Sequence, residues 1–198
     1  MALTLVSVCA MQAQIKQGPS PLQDYTQVLD DFFQQAHGPL KGAVVLRVYG
    51  GLLPEYEIVL DPETNPKNLT EYEPKQSIWG NVFDLTASRQ TTEHYVAAAR
   101  KMRVIKKEFA VPEERIRDLW RRAQAIDTST VEPGSFKDSK GHEMVIMDAP
   151  YFELILNDGA VRTRVTDTSG SDIVSSNPVL LQWSLDVEST LSPHGNAR

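Results

Sequence analysis

Leu22, Tyr25, Leu29, Phe32, Phe33 and Ala36 recur at three- and four-residue spacing, which places them along one face of a helix. Ser20-Pro21-Leu22-Gln23 supplies a hydroxyl N-cap, a proline at the first helical position and a capping-box glutamine. Gly38 and Pro39 stop the pattern, so a helix is predicted over 20–37. Its apolar face must pack on something, which makes it part of the domain. The period then changes. Ala43 to Tyr49 is rich in valine and reads as a strand, Gly50-Gly51 breaks it, and Tyr56 to Leu60 reads as the return strand of a hairpin. The Gly pair reads as a kink permitting a tight turn. Asp61 to Lys67, with its two prolines and Asn65, is a loop, and Leu69 to Tyr72 a third strand.

Between Ser88 and Val111 the pattern is mixed. Tyr95, Ala98, Ala99 and Met102 fit a helix to about Lys101, whereas Arg103 to Val111 fits a strand. Pro112 then opens a helix whose inner stripe is Ile116, Leu119, Trp120, Ala123 and Ile126, with Glu113 and Glu114 in the first turn where the helix dipole favours them. Residues 128–141 form a loop around Pro133-Gly134, and Glu143 to Met147 is a candidate strand. Tyr151 to Leu156 and Val161 to Thr166 flank Asn157-Asp158-Gly159, a strong hairpin signal. After a loop over 168–176, Asn177 caps a last helix that has Pro178 at its first position. Leu180, Trp183, Val187 and Leu191 mark its inner face. The order is thus a leading helix followed by two rough copies of hairpin, connector, helix, over 43–127 and 143–191. It predicts an α+β fold: an antiparallel sheet built from hairpins, with the helices packed mainly on one face. Phe32, Trp120, Leu154 and Trp183 are expected to share a single interior.

The uncharged run from Ala2 to Ala10 is too short to span a bilayer. It has the length of a secretory signal core, with Ala10 or Ala13 before a cut, although no Lys or Arg precedes it. The division expected is a signal-peptide remnant over 1–13, a linker over 14–20, one domain over 21–192 and a frayed tail over 193–198. Cys9 is the sole cysteine of the 198 residues. A disulfide within the chain and a zinc site built on several cysteines are therefore excluded. Lipid modification of Cys9 is disfavoured by Val8 in front of it, where a small residue is wanted. No other segment is apolar enough to enter a membrane.

The net charge of -6 argues against a general nucleic-acid binder. The charge is uneven: Arg89 to Arg122 holds ten Lys and Arg against five Asp and Glu. Its densest part, Arg100, Lys101, Arg103, Lys106 and Lys107, reads first as a lysine-bearing sheet edge that discourages aggregation. Its functional reading is a docking patch for an anionic partner such as envelope lipid headgroups.

Motifs that carry chemistry are missing. His142-Glu143 lacks the second histidine of a zinc-protease helix, since Ile146 stands there. His37, His94 and His194 have no predictable partner. There is no nucleophile elbow, phosphate loop or dinucleotide fingerprint, so no cofactor, metal ligand or catalytic residue is assigned. A carboxylate at Asp148, paired with Glu153 or Asp158, is the one enzymatic alternative, as a hydrolase. Asp148 before Ala149-Pro150 reads more simply as a turn residue accepting backbone hydrogen bonds. Asn68-Leu69-Thr70 is a formal glycosylation sequon, and Trp79 is a loop tryptophan able to cover a ring or the sheet.

Val44 to Leu60 reads VVLRVYGGLLPEYEIVL. It resembles a family of exported bacterial domains of unknown function, whose signature is a strand, then Gly-x-Cys-Pro-x-Tyr, then a second strand. Gly51, Pro54 and Tyr56 match, and Leu53 stands where the family has cysteine, which removes any redox role for the motif. The downstream order is similar: a helix at 112–126, Asp148-x-Pro150, a hairpin at Asp158-Gly159, a terminal helix. The resemblance implies fold and export and carries no activity. The reading expected is a non-catalytic exported domain, periplasmic or extracellular, that binds a ligand or partner of unknown identity. It is expected to bind through its sheet face or edge. The turn Gly50, Gly51, Leu52, Leu53, Pro54 and Tyr56 is a further candidate interaction site, the one an inhibitor or assembly factor would use.

Overall fold

The computed structural model describes residues 21–50, 55–78, 101–129, 136–137, 143–144, 149–166 and 175–191. Helix α1 runs Pro21–His37. Strands β1 (Val44–Tyr49), β2 (Tyr56–Leu60), β3 (Asn68–Pro74) and β4 (Val104–Ala110) follow, then α2 (Glu113–Gln124). A two-residue pair, β5 (Phe136–Lys137) and β6 (Glu143–Met144), stands apart as its own small ladder. The chain ends with β7 (Tyr151–Leu156), β8 (Val161–Thr166) and α3 (Pro178–Leu191).

Six strands form one antiparallel sheet in the order β4-β3-β2-β1-β7-β8. The first four lie side by side in sequence order, and the β7–β8 hairpin adds to the free side of β1. The segment from Arg103 forms a strand, as its pattern predicts, and the described β6 covers the first two residues of the strand expected at 143–147. The hairpin expected around Asp158-Gly159 has the predicted strand limits. Leu156 faces Val161 across a four-residue loop, Asn157 to Ala160. Asn157 and Gly159 adopt positive φ there, 51° and 88°, conformations that asparagine and glycine tolerate best.

β1 and β2 are buried along their whole length, so both faces of the sheet are covered. On one face, Val44, Leu46, Val48, Ile58, Leu60, Leu154 and Val165 pack with Ile116, Leu119 and Ala123 of α2 and Leu180, Trp183 and Val187 of α3. Asn177 caps α3 as predicted: its Oδ1 accepts from the Leu180 amide at 3.0 Å, and its Nδ2 donates to the Asp127 carbonyl. The Trp183 indole N–H, buried with its ring, donates to the Leu119 carbonyl at 2.9 Å and joins the two helices. On the opposite face lies α1, burying Tyr25, Val28, Leu29, Phe32 and Phe33 with Tyr49 and Ile78.

The single interior expected for Phe32, Trp120, Leu154 and Trp183 is therefore divided. The sheet separates Phe32 from the other three. The reason is strand alternation: successive side chains point to opposite faces, so strands apolar at every position need cover on both sides.

Gly50 has φ +82°, and a Cβ built on it would stand 3.0 Å from Cδ2 of Tyr151. Gly50→Ala is expected to cost about 1–3 kcal/mol, from left-handed backbone and the crowded ring together. Urea unfolding of the variant measures it. A change within error of zero would show that the turn relaxes without strain.

Candidate functional site

The three central strands each carry one charged residue in an otherwise apolar run: Arg47 in VVLRVY, Glu57 in YEIVL and Glu153 in YFELIL. Register brings them together. Arg47 sits directly opposite Glu57 on one side and Glu153 on the other, and alternation turns all three toward α1. Arg47 is 3% exposed. Its Nε donates to Glu57 Oε1 at 2.7 Å and its Nη2 lies 2.7 Å from the same oxygen. Its Nη1 donates to Asp30 Oδ1 of α1 at 2.7 Å and reaches Glu153 Oε2 at 3.3 Å. The Phe33 ring covers the guanidinium, 5.4 Å from centroid to Cζ, a cation–π arrangement.

Burial opposes the charge on Arg47, but Glu57, Glu153 and Asp30 outweigh it and push its proton affinity up. Burial holds the Glu153 carboxyl above the usual carboxylate range, and Arg47 is the main influence pulling it back. From the sheet edge Arg162 of β8 donates through Nη1 to the same Asp30 Oδ1 at 2.7 Å, and through Nε to the Gly159 carbonyl at 3.3 Å.

His37, the last residue of α1, closes the other end of the cluster. Its Nε2 lies 2.8 Å from Glu57 Oε2 and its Nδ1 2.6 Å from the Gly38 carbonyl. A carbonyl only accepts, so Nδ1 donates to it. The contact between Nε2 and Oε2 then holds a proton of its own, on the ring or on the carboxyl. The groups that form the floor are thus mutually engaged.

Beside this floor a cavity of about 280 Å³ opens between the C-terminal half of α1, the Gly38–Leu40 segment and the sheet. Asp30, His37, Arg47, Glu57 and Arg162 make its polar side. Ala43, Val45 and Ile155, a small apolar cluster against which Leu40 packs, line the other side with Phe33. The volume falls just under the ~300–1,000 Å³ of drug-sized sites, and the mixed lining is typical of them.

A second buried carboxylate lies at the other end of α1. Glu55, fully buried, accepts from Tyr25 Oη at 2.8 Å, Ser77 Oγ at 3.1 Å and the Ile78 amide at 3.0 Å. Burial first, then Glu55, drives the Tyr25 hydroxyl far above its ordinary range. Neither Glu55 nor Tyr25 lines the cavity, and the arrangement reads as a clamp tying α1 to the chain beyond β3.

The residues singled out from the sequence fall elsewhere. Gly50 and Tyr56 of the candidate turn are buried; Tyr56 packs in the α2–α3 layer and its hydroxyl donates to Glu188. Gly51, Leu52, Leu53 and Pro54 lie outside the described residues, as do Arg100, Trp79, Asp148, His94, His142 and His194. Lys101 and Arg103 are exposed. Lys106 and Lys107 stand on β4, an edge strand, and are paired: Lys106 with Glu108, Lys107 with Glu71 and Glu73. Among the described residues no group of three or more His, Cys, Asp or Glu is placed to hold a metal ion, and no helix is long and apolar enough to cross a membrane.

Sequence reasoning named Glu153 only as a companion of Asp148 and missed the cluster of Arg47, Glu57, Asp30 and His37. The available signal was one ionisable residue inside each of three strands too apolar to face water, since such a charge requires a buried partner. Comparison with protein-family models, curated proteins and solved structures finds no match.

Proposed function

We propose that the chain is a non-catalytic binding domain that takes a small ligand into the cleft beside the C-terminal turn of α1. The cavity of about 280 Å³ carries this reading. One of its walls is apolar and the other is fixed by hydrogen-bonded charges that need no rearrangement, and preorganisation of that kind favours binding. Export is part of the proposal. It is supported by the signal-like run from Ala2 to Ala10 and by the family resemblance at Gly51, Pro54 and Tyr56. Fractionation of cells expressing the native gene tests it, and uncleaved protein confined to the cytosol would remove it.

The cleft is tested by thermal unfolding across a panel of small metabolites, with wild type and Gln34→Trp side by side. Gln34 is exposed and lines the cavity, so a tryptophan there fills the mouth without disturbing the core. A ligand at a hundredfold its Kd should stabilise wild type by about 2.7 kcal/mol and leave the variant unmoved. An equal response from both proteins places the ligand elsewhere.

The raised Glu153 carboxyl is the observation that favours a second reading, a carboxylate-dependent hydrolase. Turnover of the ligand, lost in Glu153→Gln, would replace the binding reading with it.

A further inference from the structure

The geometry points to a free α-amino acid with an apolar side chain as the ligand of this cleft, an inference that rests on the reading of the cavity as a binding site. Most of the polar wall is already spent. The guanidinium of Arg47 is engaged by Glu57, Asp30 and Glu153, and both ring nitrogens of His37 are engaged, Nδ1 with the Gly38 carbonyl and Nε2 with Glu57. Two groups at the mouth keep unused capacity. Asp30, 29% exposed at its side chain, holds both arginines through Oδ1, and its Oδ2 has no partner among the described residues. Arg162, 34% exposed, uses Nε and Nη1, and its Nη2 has no hydrogen-bond partner among the described residues.

A carboxylate oxygen and a guanidinium edge therefore stand side by side, 2.7 Å apart at their bonded atoms, above an apolar recess. A cation would meet Arg162 and Arg47; an anion would meet Asp30 and Glu57. A molecule bearing an ammonium and a carboxylate on neighbouring atoms answers both, the ammonium donating to Asp30 Oδ2 and the carboxylate accepting from Arg162 Nη2. Its side chain then lies against Val45, Ile155 and Leu40, and the small volume limits the ligand to one residue of that kind.

Isothermal titration of the full chain with leucine and phenylalanine, their N-acetyl derivatives and their methyl esters tests this. Both free amino acids should bind, and blocking either charge should weaken binding roughly tenfold or more. Arg162→Gln should erase the preference for the free acid over the ester and keep the preference for the free amine; Asp30→Asn should do the reverse. Should Asp30→Asn fail to fold, Arg162→Gln carries the test alone, with its thermal unfolding as the control. If neither amino acid binds while another small molecule does, in a manner that Gln34→Trp blocks, the amino-acid assignment is wrong and the cleft stands. If nothing in the metabolite panel binds wild type, the cleft reading fails and takes this inference with it.

Discussion

Arg47→Met should destabilise the protein by about 3–5 kcal/mol near pH 7. Methionine fills similar volume, so the loss is electrostatic. Removing Arg47 takes the central cation from buried carboxylates in a medium that does not solvate them. Glu57 keeps His37 and Asp30 keeps Arg162, but Glu153 loses the one ion-pair partner it has among the described residues. Glu57 and Glu153, 1% and 8% exposed, would face each other across the vacated position with Asp30 close by.

The pH dependence has a definite sign. Burial already holds Glu153 above its ordinary range against the pull of Arg47; without Arg47 its proton affinity rises further. A carboxyl whose folded pKa exceeds the unfolded value contributes stability that is fully present below the unfolded value of about 4.3 and lost as pH rises through the folded one. The deficit of Arg47→Met relative to wild type should therefore shrink between about pH 7 and about pH 5. Urea titrations at both values measure it. The same deficit at both would mean that no carboxylate is stranded and that the loss comes from packing.

Trp183→Ala should cost about 3–5 kcal/mol. The side chain is 1% exposed and sits where α2, α3 and the sheet meet, so truncation opens a cavity that rigid neighbours cannot fill. Trp183→Phe separates packing from hydrogen bonding. It keeps most of the ring and loses the donor to the Leu119 carbonyl. That carbonyl lies inside α2 and retains its helical partner, so the phenylalanine variant should lose only about 0.5–1.5 kcal/mol. Chemical denaturation of the pair gives both values. A phenylalanine variant as damaged as the alanine one would make the indole N–H, not the ring volume, the main tie between the two helices.

The elements were legible where the pattern was local. Pro21, Pro112 and Asn177-Pro178 mark helix starts because capping and proline geometry act within one turn. Val44 to Tyr49 and Tyr151 to Leu156 read as strands because branched and aromatic side chains suit a pleated, buried surface. What the pattern did not disclose is long-range. Nothing near Arg47 states that Glu153 will stand beside it, because that adjacency is a matter of register between distant strands. The same limit hid the placement of α1. An amphipathic stripe such as Tyr25, Leu29, Phe32 and Phe33 shows that a helix must be covered, and is silent about which face of the sheet covers it. Charges inside uninterrupted apolar strands were the accessible clue to the site, and weighing them by the solvation they would lose would have pointed to Arg47, Glu57 and Glu153.

Because β1 pairs with β2 on one side and with β7 on the other, its two flanks are satisfied at very different moments of synthesis. As the chain leaves the ribosome in order, Asp30 and Glu57 are available to Arg47 almost at once, whereas Glu153 follows about a hundred residues later, at ~5–20 residues per second. For several seconds the nascent protein carries a valine-rich strand with one row of backbone groups open to any other extended chain, the situation in which intermolecular pairing begins. The β7–β8 hairpin then acts as a late-arriving plug. A truncated product ending before it should be prone to aggregate through that open flank of β1.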